Sequence, residues 1–135
     1  DGILIGWDIF KEYAASGTIV AKELVKYVLD RLLGEEKTLK TNLGARGVVS
    51  VIDCGDFIRN HILYCSPVKR GDGVEIVEDI VPVYNVNVEI RTDKKIKNVL
   101  LAPQKESIPF KQENGAVRYT VPKIENHQLV VLKCE

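Results

Sequence analysis

The hydrophobic period changes at Gly34, and that change limits the fold more than any other feature of the chain. Before it, Val20, Leu24, Val28 and Leu32 recur four apart, with Val25, Leu29 and Leu33 beside them. This broad apolar stripe predicts an amphipathic helix from about Thr18 to Leu33. Gly34 suits its C-terminal cap, and Arg31 suits the negative end of the helix dipole. After Gly34 the spacing is strand-like throughout. Tyr84, Val86, Val88 and Ile90 alternate with Asn85, Asn87, Glu89 and Arg91, as a strand with one dry and one wet face requires.

Turn chemistry divides this second stretch into strands. Asn114-Gly115 is the strongest hairpin signal, since both central positions of a type I′ turn need positive φ. Centred there, the turn sets Phe110 opposite Tyr119 and Ile108 opposite Val121. Val48 to Asp53 and Phe57 to Cys65 flank Asp53-Cys54-Gly55-Asp56. With Cys54 and Gly55 as turn residues, Val51 faces Ile58 and Val49 faces Asn60. Pro67 to Gly73 reads as a loop, Ile96 to Leu101 as a further strand and Leu129 to Leu132 as the last. About seven or eight short strands at this spacing predict an antiparallel sandwich or barrel, of which the sandwich is the expected form. The opening Ile3-Leu4-Ile5-Gly6-Trp7 reads as a buried strand.

The expected organisation is therefore mainly β with one N-terminal helix. Residues 1–36 form a strand-helix remnant of an α/β domain, and residues 37–135 an antiparallel β-sandwich. A lone strand and helix cannot bury their own apolar stripe. The stripe must pack on the β-domain or on material ahead of Asp1, and Trp7, Phe10, Leu24, Val28 and Leu32 are the candidate packing residues. The 135 residues include no methionine, so Asp1 is expected to follow the removal of preceding chain.

Charge excludes some partners. Nineteen Lys+Arg balance nineteen Asp+Glu, which removes the long-range field of a nucleic-acid or anionic-membrane binder. No apolar run approaches the ~20 residues needed to span a bilayer. Cys54, Cys65 and Cys134 are an odd set without metal or redox spacing. Cys54 and Cys65, at opposite ends of one hairpin, lie about 30 Å apart at ~3.3 Å per residue. Three ordinary thiols and no signal-peptide pattern point to the cytoplasm.

Candidate chemistry is sparse. His61 shares a strand face with Arg59, and His127 sits in a turn before the last strand. Neither has the spacing of a metal site, and no metal or other cofactor is expected. Glu75, Glu78 and Asp79, and Asp53 with Asp56, are the acid clusters that glycoside hydrolysis would need, yet they read as solvated turn residues. Arg70-Gly71-Asp72 matches an adhesion tripeptide but reads as a turn. Sugar stacking needs exposed aromatic platforms. Trp7 is expected to end a buried strand, with Tyr64, Tyr84 and Tyr119 on core faces.

Several stretches resemble the C-terminal end of bacterial multi-domain glycoside hydrolases of the beta-galactosidase-like type. They are Thr38-Leu-Lys-Thr-Asn42, Ile58-Arg-Asn-His-Ile-Leu-Tyr64, Ser66-Pro-Val-Lys-Arg-Gly-Asp-Gly73, Glu78-Asp-Ile-Val-Pro-Val-Tyr-Asn85, Val99-Leu-Leu-Ala-Pro103 and Val121-Pro-Lys-Ile-Glu-Asn-His-Gln-Leu-Val130. The resemblance implies that Ile3 to Leu33 end a trimerisation-like domain of glutamine-amidotransferase-like fold. It places the catalytic carboxylates in an earlier barrel and none of them on this chain. The implied role is a non-catalytic accessory domain of a larger glycosidase. Its partners are the preceding domains and, second, further copies of the chain, with carbohydrate met through the parent enzyme. A carbohydrate-binding sandwich is the alternative, and a small enzyme built on His61 a third reading.

Overall fold

The computed structural model describes residues 2–135. The chain forms two compact units, one ending at Lys37 and one beginning at Thr38.

The first unit is helical. Helix α1, Ile9–Ser16, starts where the Asp8 carboxylate accepts from the Lys11 N–H, and ends at Gly17, whose φ of 64° supplies the left-handed cap. Helix α2, Ile19–Leu33, ends at Gly34, whose N–H donates to the Asp30 carbonyl, with Arg31 in the last turn. A short 3-10 turn, Gly34–Glu36, follows. The stripe and the glycine thus produce the helix expected from them. Ile3 to Trp7, however, is no strand. A strand needs a neighbouring strand for its N–H and C=O groups, and the described part of this unit contains none. Among the described residues of this unit, Ile9 and Ala21 are the buried ones.

The second unit is an antiparallel β-sandwich. Its strands are β1 (Leu39–Thr41), β2 (Gly47–Asp53), β3 (Phe57–Tyr64), β4 (Val68–Gly71), β5 (Val74–Ile76), β6 (Val83–Arg91), β7 (Ile96–Ala102), β8 (Glu106–Ser107), β9 (Phe110–Glu113), β10 (Ala116–Ile124) and β11 (His127–Cys134). One sheet runs β1-β6-β10-β9, the other β2-β3-β11-β7-β8, and β4-β5 is a separate ribbon. The core lies between the two larger sheets. Val86, Val88, Ile90, Val117 and Val121 of the first meet Ile58, Ile62, Val99, Val130 and Leu132 of the second.

Register follows the turns, with instructive departures. Asn114 and Gly115 both take positive φ, at 53° and 72°, and Phe110 pairs with Tyr119 as expected. Ile108 does not reach Val121. The chain leaves β10 at Pro109, and the Ile108 N–H donates instead to the Val99 carbonyl of the other sheet. In the β2-β3 hairpin Val51 pairs with Asn60 and Val49 with Ile62, two residues from the expected register. The loop is longer because the Asp53 carboxylate accepts from the Gly55 N–H and Cys54 N–H donates to the Phe57 carbonyl. A two-residue shift keeps every side chain on its face.

Two other expectations fail for local reasons. The segment read as a loop at Pro67 to Gly73 is part of the β4-β5 ribbon, turned at Asp72-Gly73. Tyr84 is exposed rather than in the core. Asn85 takes a φ of 54°, so the alternation of β6 slips there. Val83, paired with Ile124, turns inward, and Tyr84, paired with Lys123, turns outward.

One polar link crosses the core. The Tyr119 hydroxyl donates to the Asn60 side-chain carbonyl at 2.8 Å, and the Asn60 amide donates to the Ser50 carbonyl at 3.0 Å. Burial pushes the Tyr119 hydroxyl far above its ordinary value, so it stays a donor. Tyr119→Phe strands the Asn60 acceptor and is expected to cost about 1–3 kcal/mol. The double variant Tyr119→Phe/Asn60→Leu should recover part of that loss. Urea unfolding of Tyr119→Phe, Asn60→Leu and the double variant checks both expectations; additive losses would show that the two groups do not act as a pair.

Candidate functional site

Two surfaces stand out, one on each unit. On the helical unit the residues from Ile3 to Trp7 lie beside Leu24, Tyr27, Val28 and Arg31, enclosing an open groove of about 410 Å³. Trp7, Leu24 and Val28 come together in it. Phe10, 70% exposed, and Leu32 do not line it. Trp7 is itself 53% exposed, contrary to its expected place at the end of a buried strand, because that strand does not form. Tyr27 was not singled out by the stripe, since it falls one residue before Val28. Its hydroxyl accepts from Arg31 at 3.4 Å.

Around the groove the surface stays apolar. Leu4, Ile19 and Val20 are exposed by more than 70%, and Tyr13, Leu29 and Leu33 are also exposed. A solvated helical pair normally turns such residues inward. An apolar face of this extent makes the helical unit a candidate association surface.

The second surface is the wet face of the β1-β6-β10-β9 sheet, an open groove of about 830 Å³. Pairing places Lys40, Glu89, Arg118 and Lys111 in one row across the four strands. The Glu89 carboxylate accepts from Arg118 at 2.6 Å and lies 3.6 Å from the Lys40 ammonium. Arg118 first, then Lys40, hold the Glu89 carboxyl below its ordinary value. In the next row Asn87 is the centre. Its side-chain carbonyl accepts from the Thr120 hydroxyl, and its backbone N–H donates to Asn42, both at 2.8 Å. Half-buried Phe110 and Pro109 border the groove. Alternation put Asn87 and Glu89 on a wet face in sequence, but only register aligns them with residues of three other strands.

The acid clusters noted in sequence are scattered by the fold. Glu78 holds the Arg70 guanidinium of the ribbon, and Asp53 holds Lys94. Glu75, Asp79 and Asp56 are exposed. Arg70 of the adhesion-like tripeptide is thus engaged by Glu78, with its Nε donating at 2.9 Å. Among the described residues no three His, Cys, Asp or Glu side chains converge to hold a metal ion. His61 and His127 do meet, with ring nitrogens 3.0 Å apart. Cys54, Cys65 and Cys134 are free thiols.

A helical unit with an open apolar face, followed by an antiparallel sandwich with a polar outer sheet, defines the class of chain. No protein-family model matches it, and no curated protein does. Among solved structures it is similar to alpha-L-fucosidase isoenzyme 2 from Paenibacillus thiaminolyticus, with a TM-score of 0.94 and 45% identity over 99% of this chain. The match occupies 21% of the fucosidase chain. The chain therefore spans about a fifth of the length of a glycoside hydrolase that is an alpha-L-fucosidase, and not of the beta-galactosidase-like type that its sequence segments suggested.

Replacing Arg118 with Ala should return the Glu89 carboxyl toward 4.5, the ordinary value from which it is lowered. Because its folded value is depressed, the stability it contributes is present above the ordinary glutamate range. That contribution is lost as pH falls through the lowered folded value. Carbon-detected NMR titration of Glu89 in both proteins measures the change; an unmoved titration would remove Arg118 as the cause.

Proposed function

We propose that the chain is a non-catalytic accessory domain at the C-terminal end of a larger glycoside hydrolase. The observation that carries this reading is the 45% identity, at a TM-score of 0.94, to one fifth of an alpha-L-fucosidase. Identity at that level over nearly the whole chain supports a shared place in a longer polypeptide, and favours α-L-fucosides as the parent's substrates. The sequence segments that resemble beta-galactosidase-like enzymes keep aryl β-galactosides as the second class to test.

The physical task follows from the helical unit. Two buried residues, Ile9 and Ala21, are too few for a unit of this size to be stable alone. Its exposed Trp7, Phe10 and Leu32, with half-buried Leu24 and Val28, supply the apolar area for docking a preceding domain of the same parent chain. Holding the geometry of neighbouring domains needs no catalytic group on this chain.

The test compares the whole gene product with the separate 135-residue chain on aryl α-L-fucosides and aryl β-galactosides. Hydrolysis is expected from the whole product alone, at a mass several times 15.1 kDa. Turnover by the separate chain that disappears in His61→Ala would overturn the reading in favour of the small-enzyme alternative. The separate chain should also bind a fluorescent dye for apolar surface, and Trp7→Ser with Phe10→Ser should weaken that signal while leaving the circular dichroism of the sandwich unchanged. Saturable polysaccharide binding, lost on changing Tyr84, would instead favour the carbohydrate-binding module.

A further inference from the structure

The two histidines of the chain are 66 positions apart in sequence, yet the sandwich brings them side by side. Strands β3 and β11 are antiparallel neighbours in which His61 pairs with Leu129 and His127 with Leu63. The two imidazoles therefore occupy diagonal positions on the outer face of the five-stranded sheet. Their rings lie nearly parallel, 12° apart, with centroids separated by 5.3 Å. Nδ1 of His61 and Nε2 of His127 are 3.0 Å from each other. His127 is exposed and His61 half-buried, so the pair is open to solvent.

We propose that His61 and His127 form a two-imidazole chelate for a divalent transition-metal ion. Each ring's hydrogen-bond partner is the other. The contact requires one nitrogen to keep its proton and the other its lone pair. Moving that proton to the far nitrogen of its ring leaves two lone pairs facing each other along the N–N line, and a swing of each exposed ring by about 40° aims both at one ion. Imidazole nitrogens bind such ions at about 2.0–2.1 Å. Two of them on one ion then stand about 2.9 Å apart at a right angle and about 3.4 Å apart at the tetrahedral angle. The observed 3.0 Å falls inside that interval.

Ligand chemistry selects the ion. Two neutral imidazoles with water in the remaining positions favour Cu²⁺ over Ni²⁺ and Zn²⁺, and disfavour Mg²⁺ and Ca²⁺, which take oxygen ligands. Two protein ligands are fewer than a closed structural zinc site uses, so the ion stays exchangeable and keeps open positions for a further donor. Binding is coupled to folding, because the unfolded chain does not hold residues 66 positions apart together. This proposal stands on β3 and β11 alone and does not depend on the parent enzyme's activity.

The experiment uses the untagged 135-residue chain with NiCl2, followed by titration calorimetry and by thermal unfolding. Saturable uptake near one ion per chain is expected, with an unfolding midpoint that rises with nickel. His61→Gln and His127→Gln should each weaken uptake by about tenfold or more and abolish the nickel-dependent rise. Both side chains reach the sheet surface, so the nickel-free midpoints of the variants report whether they fold. Uptake that persists in both variants but disappears on alkylating the three cysteines would overturn the proposal, as would no saturable uptake at millimolar nickel.

Discussion

Tyr119 and Asn60 face each other across the sandwich core, and their hydrogen bond is the constraint to which the two sheets are set. Asn60 is fully buried and Tyr119 nearly so. Each is surrounded by aliphatic side chains that cannot replace a lost partner. A buried polar atom without a partner costs more than a made bond contributes. The pair therefore discriminates between the observed stacking of the sheets and any slid arrangement of the same apolar faces. Valines and isoleucines supply most of the attraction, but they are nearly interchangeable. The Tyr119–Asn60–Ser50 chain ties β10 to β3 and, through the Ser50 carbonyl, to the edge strand β2.

The two units meet the same physical requirement differently. In the sandwich, two sheets cover each other, and polar rows such as Lys40–Glu89–Arg118–Lys111 are left to water. In the helical unit, α1 and α2 bury Ile9 and Ala21, and most of the stripe on α2 remains exposed. Such a surface is costly in water and sensible only where another body covers it. That contrast, together with a likeness covering 21% of a fucosidase chain, is why an accessory role fits better than a separate enzyme. The carboxylates of the sequence's acid clusters are instead spread over turns and ion pairs.

Much of the architecture was legible because it rests on local chemistry. The α2 stripe, Gly34 at its end, the Asn114-Gly115 turn and the alternation from Val86 to Ile90 each carry their own signal. Errors arose where a nonlocal partner decides. Ile3 to Trp7 has strand composition but no strand to pair with. Tyr84 keeps the parity of Val86 in sequence, yet the positive φ at Asn85 reverses its face. The β2-β3 register moved because the Asp53 carboxylate captures the Gly55 N–H, a competition that spacing does not reveal. Of the residues that line the helical groove, the period placed Leu24 and Val28 on one face, while Trp7 joins them only through the path of the opening residues past α2.

The sequence by itself determined the helix, the antiparallel strands and their main turns. Periods of 3.6 and 2, caps and left-handed turn residues act within a few positions of the chain. Only the tertiary structure decided which distant residues became neighbours. It set Glu89 beside Arg118 and Lys40, Tyr119 over Asn60, and His61 beside His127. Those meetings depend on strand order and on the stacking of two sheets, and strand order is a property of the whole chain that no short stretch encodes.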